Sequence, residues 1–206
     1  MSRTTVSSAV TLVAGAFVIA AGLAGLWQLA GASTAALLAT RLALLVGIAL
    51  LVVGRRSRPG LFRASPAAAL ALVLLPVCDL VSGLSLAMVR GLDQLAVLGP
   101  VLFAVQVMGL AGGLVAAVLV VRRRLLDRGA AWSLVAVVGL RVVFAVASVA
   151  PLLDEQLALG LARAYVVVPL AVLAFGVGLL LHGRATGVRT RIDGMVDAWR
   201  SSTDVS

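Results

Sequence analysis

The sequence predicts an all-α polytopic membrane protein, a bundle of six transmembrane helices followed by a short C-terminal amphipathic helix at the membrane interface. Three observations carry that expectation. Of 206 residues 62% are hydrophobic and only 12% charged, with a mean hydropathy of +1.16, well outside the range of soluble domains. Apolar runs of about 20 residues, the length a bilayer core requires, recur six times. None of them alternates apolar with polar residues as a barrel strand does. Because the bilayer offers no water to backbone amides, each run is expected to be a helix.

The first run, about residues 8 to 30, follows Arg3 and continues to Leu29 without the polar break that ends a cleaved signal peptide, so it reads as a retained span. Its Ala16, Ala20 and Ala24 form a small-residue ridge leading to Gln28. The second run, 35 to 53, carries Arg41. The third, 66 to 88, reads PAAALALVLLPVCDLVSGLSLAM and holds Asp79, the only acid inside any span. In the fourth, 96 to 121, Gln106, Gly109 and Gly113 share one stripe, a glycine spacing that lets helices approach closely. The fifth, 130 to 152, carries Arg141, and the sixth, 158 to 182, carries Arg163. Pro76 and Pro169 fall inside spans three and six and are expected to kink them, whereas Pro100 and Pro151 fall near span ends. LDQLAVLG at 92 to 99 resembles LDEQLALG at 153 to 160, and basic clusters recur near 55, 122 and 184, a pattern consistent with three parallel helical hairpins.

Residues 1–183 thus make one transmembrane domain and 184–206 a tail. In the tail Val188, Ile192, Met195, Val196 and Trp199 recur at helical spacing between charged residues. That pattern predicts a short helix lying on the membrane surface with Trp199 at the headgroups, or a docking helix for a partner.

A net charge of +9 in a soluble chain would suggest nucleic acid, but here the basic residues, all arginine, punctuate the apolar spans and no nucleic-acid partner is expected. Thirteen of the 17 arginines fall at the N-terminus, in the second and fourth connections and in the tail. The positive-inside rule places those segments, and so both termini, in the cytoplasm, with the protein in the cell membrane.

The arginine and aspartate positions within the spans mark the candidate site. At a rise of about 1.5 Å per residue Asp79 lies roughly 20 Å and Arg141 roughly 17 Å from the basic end, while Arg41 and Arg163 lie about 8 to 9 Å below the opposite surface. A lone charge at mid-bilayer costs at least about 2.5 to 3.5 kcal/mol, so Asp79 and Arg141 are expected to face the bundle interior and meet each other. Two readings follow. In one, that pair only fixes helix register while Arg41 and Arg163 reach for the surface. In the other, three arginines against one aspartate leave a positive surplus that takes an anion, with Arg41, Asp79, Gln106, Arg141 and Arg163 as ligand-binding residues. A proton-linked role for Asp79 is a further possibility.

Other chemistries are set aside by what the sequence lacks. Cys78 is the single cysteine and His182 the single histidine, expected at the interface. HExxH, CxxC and a second intramembrane carboxylate are missing, so no metal, cofactor or catalytic residue is expected. The intramembrane serines have no base beside them, and GxxxxGK[ST] does not occur.

The sequence therefore predicts a small membrane transport or binding protein whose outer-half polar cavity takes an anionic solute or lipid headgroup. The alternative is a non-catalytic accessory or assembly subunit of a larger complex, joined to a protein partner or a second copy through Gly109, Gly113 or the tail helix. A membrane enzyme acting on lipid is a third reading, disfavoured by the missing catalytic groups. Size, six spans, cytoplasmic termini and the alanine ridge are similar in architecture to the substrate-binding subunits of energy-coupling-factor vitamin transporters, although no residue motif carries the resemblance.

Overall fold

The computed structural model describes residues 8–31, 34–55, 58–88, 92–149, 160 and 163–203. Helices α1 (Ser8–Leu29) and α2 (Thr34–Val53) come first. A two-residue antiparallel pairing of β1 (Gly54–Arg55) with β2 (Arg58–Pro59) and one helical turn, α3 (Leu61–Ala64), follow. Then come α4 (Pro66–Met88), α5 (Leu92–Arg123), α6 (Arg128–Val149) and α7 (Val167–Thr203). The six long helices each contain a stretch long and apolar enough to cross a membrane. The second copy of the repeated motif, at 153 to 160, lies outside the described residues apart from Gly160.

The long helices close a ring in chain order, α1, α2, α4, α5, α6, α7 and back to α1. The seam between α1 and α7 is the most extensive, because glycines let the two backbones touch. A Cβ on Gly15 would lie 2.9 Å from the Gly176 carbonyl oxygen, and one on Gly176 would lie 2.9 Å from the Ile19 nitrogen. This corrects the expected alanine ridge: Ala16 and Ala20 point outward, and α1 packs through Ala14, Gly15, Val18, Ala21 and Gly22. A helix that is apolar on every side carries no asymmetry to reveal its buried face. Gly109 and Gly113 do pack closely, but within the chain. Gly109 abuts Cys78 of α4, and a Cβ on Gly113 would lie 3.3 Å from both Leu75 and Val138.

The end of the bundle nearest β1 and β2, the basic end, is tied by polar contacts. Ser65 caps α4, its Oγ accepting from the Ala68 N–H at 3.4 Å while Pro66 takes the first helical position. Arg123 Nη1 donates to the same hydroxyl at 3.3 Å, joining the end of α5 to the start of α4. Helix α5 stops at Arg124, whose φ of 51° is left-handed. There Arg124 N–H donates to Val121 at 3.2 Å and Leu125 N–H to Val120 at 3.1 Å, the paired bonds of a Schellman cap normally built on glycine. His182 is only 3% exposed. Its Nδ1 lies 2.8 Å from Asp127 Oδ2, so the histidine expected at the interface latches α7 to the start of α6.

Pro76 lies inside α4 as expected, buried there, and Pro100 lies near the start of the apolar span from Val97, within an α5 that begins earlier at Leu92. Pro169 is the third residue of α7, in a first turn where a missing N–H costs nothing. The sixth helix begins at Val167, not 158, and runs unbroken to Thr203, so the tail continues it instead of forming a separate surface helix. No proline interrupts residues 170 to 203, and Thr186 Oγ1 bonds back to the His182 carbonyl at 2.9 Å across residue 183. Val188, Ile192, Met195, Val196 and Trp199 are exposed along this extension.

Packing is uneven along the bundle axis. In α2 the buried residues are Leu44, Gly47, Ile48, Leu51 and Val52, all in its basic-end half. Among the described residues α5 buries none before Gly109, and α6 buries none after Val138. Buried positions run into the opposite half on α4 and α7 and, on α1, as far as Gly22, which leaves a space between the helices there.

Candidate anion site in the open half of the bundle

That space is a partly enclosed cavity of about 560 Å³ to which all six long helices contribute. Its polar lining is Gln28 of α1, Thr40 and Arg41 of α2, Asp79 of α4, Gln106 of α5, Arg141 of α6, and Tyr165 just before α7. Its apolar wall includes Ala21, Leu44, Leu110, Val168 and Val172. The volume falls within the range of small-molecule pockets, about 300 to 1,000 Å³.

Asp79 is the centre of the polar cluster. Arg141 Nη1 forms an ion pair with Asp79 Oδ2, the two side chains being 18% and 23% exposed. The pairing follows from depth, since α4 and α6 start from the same end and bring the two charges to similar heights. Arg41 does not reach for the surface. Its Nη1 donates to the Asp79 backbone carbonyl at 2.5 Å. Gly83 makes this possible: it lies one turn beyond Asp79 on α4, and a Cβ there would collide with the Arg41 guanidinium. Thr40 beside it is turned to its own helix, donating to the Ala36 carbonyl at 2.8 Å.

Four of the five site residues expected from sequence, Arg41, Asp79, Gln106 and Arg141, therefore line one cavity. Arg163 stands exposed and is not part of the lining. Its position was counted along a span beginning at 158, whereas the helix begins at Val167. Gln28, Tyr165 and Phe144 join the lining without having been singled out for it. Phe144 and Tyr165 pack edge to face with centroids 5.2 Å apart, closing the wall between α6 and α7. No signal in the sequence marks them, because residues near span ends take aromatic and amide side chains for interfacial reasons as well.

Electrostatically the cavity holds two guanidinium groups and one carboxylate, an excess of one positive charge. Each guanidinium engages Asp79 through one nitrogen, and Arg141 Nε is buried without a hydrogen-bond partner among the described residues. Arginine presents its donors in a planar fork suited to a carboxylate or phosphate edge. The arrangement suits binding of an anion. Among the described residues no cluster of His, Cys, Asp or Glu is placed to hold a metal ion.

No family model matches the chain, and no curated protein or solved structure does. The architectural likeness to vitamin-transporter subunits therefore gains no support from the comparisons, and the site stands on its own geometry.

Proposed function

We propose that this is a small integral membrane transport or binding protein whose cavity takes an anionic solute or lipid headgroup. The observation that carries the reading is the convergence of Arg41 and Arg141 on Asp79 inside a cavity shared by six helices, with one positive charge in excess. A buried pair kept only for register needs no second arginine and no adjoining space. In this reading Arg141 and Arg41 hold the anion, Asp79 orients both guanidinium groups, and Gln28 and Gln106 supply neutral hydrogen bonds. The basic end, with 13 of the 17 arginines, faces the cytoplasm of a cell membrane, so the cavity lies in the outer half.

The test compares Arg141→Ala and Arg141→Gln with the wild type for uptake or equilibrium binding of small carboxylates and phosphate. Both variants lose binding while the protein still expresses and purifies as a monodisperse species. Retained binding by folded variants overturns the reading. One observation favours the alternative of an accessory subunit: the apolar residues exposed on the protruding part of α7. In that case a protein partner co-purifies and is lost when the chain is cut after Gly183, with anion binding absent from the outset.

A further inference from the structure

Helices α5 and α6 meet at Gly113 and Val138, where a Cβ on the glycine would lie 3.3 Å from both methyl carbons of the valine. The helices run antiparallel, so two turns further toward the open end Gln106 of α5 comes opposite Ala145 of α6. Both of those residues line the cavity. The seam is not sealed at that height. No described residue of α5 from Gln94 to Met108 is buried, and none of α6 from Gly139 to Ala147 is. On α5 the exposed positions go all the way round the helix, including Val101, Phe103, Val107 and Met108. A Cβ added to Gly139 would meet nothing within 4 Å.

From this we infer that the cavity opens sideways into the bilayer between α5 and α6, and that its ligand is a membrane amphiphile: a singly charged anionic head held by Arg41 and Arg141, with an apolar tail leaving past Gln106 and Ala145. This rests on the proposed anion site and names the source of the anion. Three features of the cavity agree on that ligand. The excess charge of one matches a single carboxylate or phosphodiester better than a phosphate dianion. Leu44, Leu110, Val168 and Val172 give the cavity an apolar wall that a small hydrated anion does not use. The residues flanking the slit on its outer side are large and apolar, so the surface around it is one a lipid chain wets. The head enters from the leaflet at the open end of the bundle, since α5 and α6 are closed by buried side chains from Gly113 and Val138 toward the basic end.

The experiment uses the full chain in nanodiscs of phosphatidylcholine, with radiolabelled palmitate as the probe and acetate, octanoate and phosphatidylglycerol as competitors. Competition strengthens with chain length, octanoate exceeding acetate at least tenfold. Competition by phosphatidylglycerol as well identifies a lipid headgroup as ligand, and its failure to compete identifies a free fatty acid. Ala145→Trp weakens palmitate binding at least tenfold. As a second approach, Phe103→Cys with Val146→Cys, exposed positions on α5 and α6 outside the cavity lining, in a Cys78→Ala background is bridged by a bifunctional thiol reagent, and the bridged protein loses exchange of palmitate that the unbridged protein retains. Equal binding of acetate and palmitate, indifferent to Ala145→Trp and to the bridge, overturns the lateral opening while leaving an anion site intact. If Arg141→Gln changes none of these affinities, the anion site itself is wrong.

Discussion

Replacing Gly83 by alanine reverses the usual effect of that substitution. In a helix interior Gly→Ala stabilises by roughly 0.5 to 1 kcal/mol, because glycine loses more backbone freedom on folding. At Gly83 the new methyl occupies the space of the Arg41 guanidinium and drives it off the Asp79 carbonyl. A hydrogen bond from a charged donor contributes about 1.5 to 3 kcal/mol, so the net change is a loss of about 0.5 to 2.5 kcal/mol. For a chain of this length that corresponds to a fall in Tm of about 1 to 10 °C. In an Arg41→Met background, which keeps the apolar stem and removes the guanidinium, the same Gly83→Ala change becomes stabilising by about 0.5 to 1 kcal/mol. Thermal unfolding of the four proteins in one detergent reads this as a double-mutant cycle. A Gly83→Ala protein more stable than wild type in both backgrounds refutes the slot.

Four further outcomes are expected. Asp79→Asn and Arg141→Gln each destabilise by about 3 kcal/mol, the low end for breaking a buried pair because both side chains retain some exposure, whereas the double substitution costs less than either alone in chemical unfolding. Arg124→Gly relieves the left-handed backbone at the end of α5 and raises stability by up to about 1 kcal/mol, read as a higher Tm. Ser65→Ala removes the cap of α4 and the Arg123 contact together and costs about 1 to 2 kcal/mol, measured in the same way. In a protein retaining Trp199 but carrying Trp27→Phe and Trp132→Phe, the remaining tryptophan emits as in water and escapes quenching by brominated lipids, because the continuous α7 carries it roughly 24 Å beyond Gly183 at a rise of about 1.5 Å per residue; strong quenching would return the tail to the membrane surface.

How much of this was legible in the sequence depends on how far each feature is local. Span number follows from run length alone, and the meeting of Asp79 with Arg141 follows from counting residues from a shared end. Arg41 illustrates the limit. Its position near a span end reads as a charge reaching for the surface, and its inward turn depends on Gly83, which lies 42 residues away on another helix. The packing face of α1 was misplaced because every face of that helix is apolar, so alanine spacing carried no directional information. Hydropathy alone extends the sixth span back to 158 and so puts Arg163 within it, whereas the helix begins at Val167. The unbroken α7 was missed for the opposite reason: the change from apolar to charged composition at 183 marks where a membrane would end, and a helix does not have to end there.

The opening of the bundle away from its basic end unites the uneven packing, the cavity and the unsealed seam between α5 and α6. Small residues at the basic end let the backbones close, and three charged side chains at the other end hold them apart around a polar centre. The measurement that bears most directly on the central claim is native mass spectrometry of the chain released from its own membrane. The wild-type protein leaves with one anionic adduct of defined mass per chain, and the Arg141→Gln protein, whose cavity carries no excess positive charge, leaves bare. A bare wild-type protein, or the same adduct on both, contradicts an anion site at Arg41 and Arg141.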